Sequence, residues 1–368
     1  MKILEIIHAL TPGGAERLVV DLCNEMSKTE EVTLLSLKDL SQGNNGFYLN
    51  DVCDRVKVED MKLSDGFHIC HLFKVWKKIH AIHPDIVHHH LAANRYAVLA
   101  TMFHPAHVKV FGTIHNDVKK SYSSGFNRLE IKILGKLGLK KYVTISKTNF
   151  NDFQMMYPTV SNTLICNGRN LLYKTDEFLL IQEKVEKLKN DGDSLVLLHI
   201  ARCSPQKNQQ LLIKAFNKWI ANGANAILLI IGAGFESEYG KALQKESCPQ
   251  VKFLGTTPHI ADYMHCSDAF VLSSSYEGMP ITAIESLMAG LPILSTPVCG
   301  IVDVVRHKEN GLLTRDWSEE QFVKMLNDFE NEHKTMKEVA KKESVDSPYT
   351  IQKCAAGYLA LFSKGLAS

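Results

Sequence analysis

Short apolar runs recur along the chain. Most are closed by glycine or small polar residues and followed by apolar positions at helical spacing. In the first half they cover 2–8, 32–37, 84–90, 108–113 and 142–146; in the second, 195–201, 226–231, 251–255, 269–272 and 291–294. Their apolar content is nearly continuous, which predicts parallel strands buried on both faces. Helical spacing predicts helices over 18–26, 71–82, 147–157, 281–288, 318–343 and 350–362. Strands and helices alternate throughout, so the pattern predicts an α/β chain with two doubly wound parallel sheets. Residues 41–70 lack a clear period and hold Gly43, Asn44, Asn45 and Gly46, which predicts an irregular, mobile loop. Asn310-Gly311 predicts a hairpin-like turn.

The stretch 273–296, SSSYEGMPITAIESLMAGLPILST, concentrates the candidate chemistry. It reads as a strand end, a glycine-bearing loop, a helix opening at Pro280 and closing at Gly290, then the next strand. Glu277 stands in the loop and Glu285 on the helix. Backbone N–H groups of Gly278 and Met279 at a helix start attract phosphate. Carboxylates accept hydrogen bonds from vicinal hydroxyls. Together these suggest a nucleotide sugar. The spacing alone equally allows two glutamates that merely favour the positive end of a helix dipole.

Other groups stand at similar places. Arg202 and Lys207 bracket a second strand-to-helix loop, where two cations can neutralise a diphosphate leaving group. Gly13 and Gly14 form the turn after the first strand, the opening of a Rossmann-like domain, although G-x-G-x-x-G is lacking. His115 lies just beyond a strand, where open α/β sheets bind ligands. His88-His89-His90 invites a metal reading. Neighbours on a strand point to opposite faces, so one ion cannot collect all three, and His88 and His90 stay as cleft-lining candidates. Asp191-Gly192-Asp193 fits a metal-binding D-x-D pattern but precedes a strand, as ordinary turn chemistry does.

At 368 residues, 45% of them hydrophobic and 22% charged, the chain has room for about two domains with real cores. A net charge of +2 is too balanced to argue for nucleic acid. Nine cysteines without a C-x-x-C pair read as reduced thiols of a cytoplasmic protein. There is no signal-peptide pattern, and no run approaches the roughly 18 apolar residues of a membrane span. Residues 119–147 form the most basic stretch, with Arg128, Lys132, Lys136 and Lys140 at every fourth position. Leu129, Ile133, Leu134 and Leu137 lie on another face. This predicts a basic amphipathic helix. It is either a solvated face over a core stripe or a patch that docks on an anionic acceptor or on anionic lipid of the inner face of the cell membrane.

Glu277-Gly278-Met279-Pro280, followed by Ala283, Glu285, Ala289-Gly290 and Pro292, resembles the E-x7-E signature of glycosyltransferase family 4. The Arg202-x4-Lys207 pair, Gly13-Gly14, His115, the Gly232-Ala233-Gly234 turn and the 296–301 loop resemble the same family. The resemblance spans nearly the whole chain, with 38–80 and 314–348 adding little. It implies the GT-B fold: two Rossmann-like domains facing across a cleft. The N-terminal acceptor domain would cover 1–170 and the nucleotide-sugar donor domain 171–348. The C-terminal helix, within 349–368, would cross back to the first.

The resemblance also implies a retaining, metal-independent hexosyltransferase with no cofactor beyond its nucleotide-sugar co-substrate, a UDP-sugar foremost. On that reading Glu285 holds the ribose hydroxyls, and Glu277 with Gly278, Met279 and Pro280 holds the sugar. Arg202 and Lys207 carry diphosphate charge. Gly13 and Gly14 close over the diphosphate and acceptor side, and His115 contacts the transferred sugar. The implied acceptor is a glycan or lipid-linked saccharide in bacterial cell-surface polysaccharide synthesis. Two alternatives remain: a nucleotide-sugar epimerase on the same fold, and a non-catalytic partner subunit of that fold.

Overall fold

The structure, a computed structural model, describes all residues except 67, 94, 95, 97–101, 104–106, 124, 190 and 368. The chain divides into two compact units, Met1–Arg169 with Pro348–Ser368, and Asn170–Ser347.

In the first unit the strands are β1 (Lys2–Ile7), β2 (Glu31–Ser36), β3 (Lys57–Asp60), β4 (Ile86–His90), β5 (Lys109–Ile114), β6 (Lys141–Thr144) and β7 (Asn162–Leu164). They form one sheet in the order β3-β2-β1-β4-β5-β6-β7, and every pairing is parallel. Leu4, Ile6, Leu35, Val75, Ile79 and Val87 pack into one of its cores. The order reverses between β1 and β4, the place where open parallel sheets leave a crevice beyond their carboxyl ends. The C-terminal helix, Ile351–Leu366, belongs to this unit. Its Tyr358 hydroxyl bonds Thr113 Oγ1 at 2.9 Å, and its Phe362 ring packs on Phe111 of β5.

The second unit holds β8 (Leu195–Ile200), β9 (Ala226–Ile231), β10 (Val251–Gly255), β11 (Ala269–Leu272), β12 (Ile293–Ser295) and β13 (Gly311–Leu313). Their order is β10-β9-β8-β11-β12-β13, again all parallel, with the reversal between β8 and β11. Leu197, Leu228, Ile230, Phe216, Trp219 and Phe329 share its core. All six residues of β9 are buried, because helices cover both faces of such a sheet.

Three expectations are corrected. The irregular 41–70 region contains β3, whose KVED sequence has too little apolar content to read as a strand. Asn310-Gly311 does not turn a hairpin: Gly311 opens β13, which runs parallel to β12. The basic stretch 119–147 is not one helix. It breaks into Val118–Ser121, Gly125–Glu130, a π-helical turn over Ile131–Gly135, and then β6.

Candidate active site

In the second unit, two loops at the carboxyl ends of β8 and β11 are stitched together. The first runs from Arg202 to Asn208, the second from Ser273 to Pro280. The Ser275 N–H donates to the Gln206 carbonyl at 2.8 Å, and Gln206 Nε2 donates to the Tyr276 carbonyl at 3.0 Å. The Ser273 hydroxyl donates to the Lys207 carbonyl at 2.9 Å. At the centre, Lys207 Nζ lies 2.5 Å from Glu277 Oε1, and Ser274 Oγ donates to the same oxygen at 2.6 Å. The sequence-predicted Lys207 and Glu277 are therefore direct partners. A lysine has three donors, so Lys207 can keep this pair and still reach an anion.

Around this centre, Glu277 is buried and Arg202 is exposed. Among the described residues the Arg202 guanidinium forms no ion pair, so its charge is available. Pro280 does not open the helix as its first residue but caps it with extended backbone, and the helix runs Ile281–Met288. Glu285 is buried on that helix. Gly300, with φ +75°, packs against the Gly278–Met279 backbone; a Cβ there would lie 2.1 Å from the Gly278 carbonyl oxygen. Thr296 Oγ1 and Trp317 Nε1 both donate to the Ser274 carbonyl, at 2.7 and 3.1 Å. The sequence reading gave no role to Gln206, Ser274 or Trp317, and it placed Thr296 and Gly300 only within the 296–301 loop that resembles the family's. Ser274, three residues before a loop carboxylate, is the one that local spacing could have flagged.

In the first unit, Gly13 is the extended N-cap of the helix Gly14–Met26. A Cβ on Gly13 would meet the Glu16 carboxylate at 2.2 Å, so the carboxylate already lies against that glycine. His115 follows β5 and is buried, with Nε2 at 2.8 Å from His90 Nδ1. Burial, then the neighbouring His90 and His88, push its pKa well below the usual histidine range, so the ring is neutral.

His88 and His90 do not line a surface. Both are fully buried on one face of β4 around Glu5 of β1. His90 Nε2 lies 2.8 Å from Glu5 Oε2, and His88 Nδ1 lies 2.9 Å from the same atom. His88 Nε2 contacts Thr113 Oγ1 at 2.8 Å. Residues i and i+2 of a strand share a face, which is why the pair 88 and 90 comes together without His89. Their donor atoms and that of Glu5 lie within 4.8 Å of one another, close enough for three of them to hold an ion. Asp191 serves as a turn: its Oδ1 accepts from the Asp193 N–H and from Asn225 Nδ2.

Two family models match the chain. Residues 12–171 match Glycosyltransferase Family 4, and residues 181–344 match Glycosyl transferases group 1. Together they take in most of both units. The chain belongs to the group 1, family 4 glycosyltransferases. An uncharacterized glycosyltransferase of Haemophilus influenzae is 26% identical over 331 residues, 87% of this chain and 88% of its own. The UDP-Gal:alpha-D-GlcNAc-diphosphoundecaprenol alpha-1,3-galactosyltransferase of Escherichia coli is 27% identical over 151 residues, 40% of this chain and 38% of its own. Among solved structures, Anabaena HepE in complex with UDP and glucose superposes with a TM-score of 0.81 at 19% identity, covering 99% of this chain and 100% of HepE. That likeness establishes the GT-B fold for this glycosyltransferase. No helix among its described residues is long and apolar enough to cross a membrane.

Proposed function

We propose that this glycosyltransferase moves a hexose from a UDP-sugar to a glycan or lipid-linked saccharide, with retention at the anomeric carbon and without a metal. The observation that carries the reading is the Lys207–Glu277–Ser274 cluster, which joins the R-x4-K loop to the E-x7-E loop. Arg202 and Lys207 carry the charge of the leaving diphosphate. This takes over electrostatic work that a divalent cation would otherwise do. Glu277, with the Gly278 and Met279 amides and Pro280 shaping the turn, holds the sugar, and Glu285 holds the ribose hydroxyls. In the first unit, Gly13 and Gly14 let backbone approach the diphosphate, and His115 contacts the transferred sugar. No side chain is assigned as a covalent nucleophile. A front-face route, with the leaving phosphate taking the acceptor proton, fits that arrangement.

HepE was solved with UDP, which favours uridine as the base here. The lipid-diphosphate acceptor named for the Escherichia coli relative favours a lipid-linked acceptor and bacterial cell-surface polysaccharide synthesis. The exposed apolar residues Phe126, Leu129, Ile133 and Leu137 alternate with exposed Arg128, Lys132 and Lys136. Such a surface suits peripheral contact with anionic lipid on the cytoplasmic face.

The test is to incubate the protein with UDP-sugars and saccharide acceptors, with and without a chelator. The anomeric configuration of the product is then read by NMR. An α-linked product from an α-donor, formed equally with chelator, supports the reading. Isomerised nucleotide sugar without transfer would point to the epimerase instead.

A further inference from the structure

Glu5 is a charged residue in the middle of a buried strand, and the transfer reaction above gives it no part. A carboxylate buried this deeply persists only where donors satisfy it. Burial pushes the Glu5 carboxyl up, but attraction to His88 and the hydrogen bonds from His88 and His90 outweigh burial and bring it down to about 2. Glu5 is therefore ionised at neutral pH and can only accept.

That fixes the protons along a line of three groups. His90 Nε2, 2.8 Å from Glu5 Oε2, must carry the hydrogen. Burial holds the His90 pKa at about 4, so the ring is neutral at pH 7 and has only one N–H. Its Nδ1 is then a bare lone pair. His115 Nε2, 2.8 Å from that lone pair, must donate to it. A neutral His115 that donates from Nε2 carries its own lone pair on Nδ1, and Nδ1 has no hydrogen-bond partner among the described residues.

We propose that Glu5 and His90 are positioning residues that hold His115 in its Nε2–H tautomer, so that Nδ1 faces substrate as a hydrogen-bond acceptor for a hydroxyl of the donor sugar. The proposal rests on the reading of His115 as a sugar contact and narrows its substrate class. An acceptor nitrogen favours a sugar with a free hydroxyl at that place. It disfavours one whose only group there is an acceptor, such as a uronic carboxylate, because two lone pairs would face each other.

The experiment is long-range proton–nitrogen NMR on the full chain labelled with 15N-histidine. The His115 signals are assigned by their loss in His115→Gln. The expected wild-type result is a pyridine-type Nδ1 and a pyrrole-type Nε2 near neutral pH. Glu5→Gln brings an amide donor to His90 and should move His115 toward the reversed tautomer. Transfer from a UDP-hexose should then fall about tenfold, the scale of one hydrogen bond, with UDP binding unchanged because UDP lacks the transferred hexose that His115 would contact.

A wild-type His115 protonated on Nδ1 overturns the proposal, and that measurement needs no variant to fold. An unchanged His115 tautomer in a folded Glu5→Gln protein overturns it as well. So does a bound zinc whose removal by chelator reverses the His115 signals. A metal on His90 Nε2 would leave Nδ1 protonated and set the opposite tautomer. If wild-type protein fails to bind UDP, the donor reading falls while the tautomer result stands by itself.

Discussion

Glu277 can hold a sugar hydroxyl only if other groups hold Glu277. Lys207 and Ser274 both approach its Oε1, and on the proposed reading Oε2 is the oxygen that meets the sugar. Replacing Lys207 by alanine strands a buried carboxylate. The expected cost is about 1.5–3 kcal/mol in denaturant unfolding and about a hundredfold or more in transfer rate. A Lys207→Ala protein with wild-type turnover would remove Lys207 from the reaction. Buried histidines set a pH dependence. His90 and His199 are both held at about 4, chiefly by burial, and His115 is also depressed. An unfolded chain therefore binds more protons than the fold between about pH 6.5 and 4, so stability falls as pH drops through that window. Melting temperature should decline from pH 7 to pH 5; a flat profile would contradict neutral, buried rings. The sequence made E-x7-E and R-x4-K legible because linear spacing reports residues on one loop or on a loop and the helix it opens. It left Glu5 unread as a site group, although a lone charge within a buried strand is a physical signal that partners must exist elsewhere.

Elements were legible where apolar content was high and obscure where it was not. Strands such as β9 and the helix Ile281–Met288 follow directly from their patterns. The basic stretch departs from its pattern because charge at every fourth position does not require one continuous helix. Lys140 instead pairs with Glu130, and both are buried. With Lys140 inside, the outer face is Arg128, Lys132 and Lys136 among Phe126, Leu129, Ile133 and Leu137. The double substitution Lys132→Glu/Lys136→Glu should weaken co-sedimentation with anionic vesicles by about tenfold or more, at roughly 1 kcal/mol per basic residue. It should leave the melting temperature unchanged. Undiminished sedimentation would rule out this face. The 296–301 loop is held by a backbone demand that no charge pattern reveals. Gly300→Ala places a Cβ against the Gly278 carbonyl at positive φ. It should cost about 1–3 kcal/mol in unfolding free energy and weaken UDP binding by calorimetry. Wild-type values for both would show that the loop yields.

At the scale of the whole molecule, two parallel sheets each reverse order once, and the candidate groups gather at the carboxyl ends beside those reversals. Strand and helix alternation made that architecture legible. Register, burial and the pairing of distant residues such as Glu5 with His88 and His90 required three dimensions. On the proposed function, the second unit's loops bind a nucleoside diphosphate through Arg202, Lys207 and Glu285. The most direct measurement is calorimetric titration of UDP, GDP and ADP into wild-type protein and into Arg202→Ala and Glu285→Ala. The expected result is selective binding of UDP, weakened about tenfold or more in each variant while the fold stays intact. No binding of any nucleotide, or UDP binding unchanged in both variants, would contradict it.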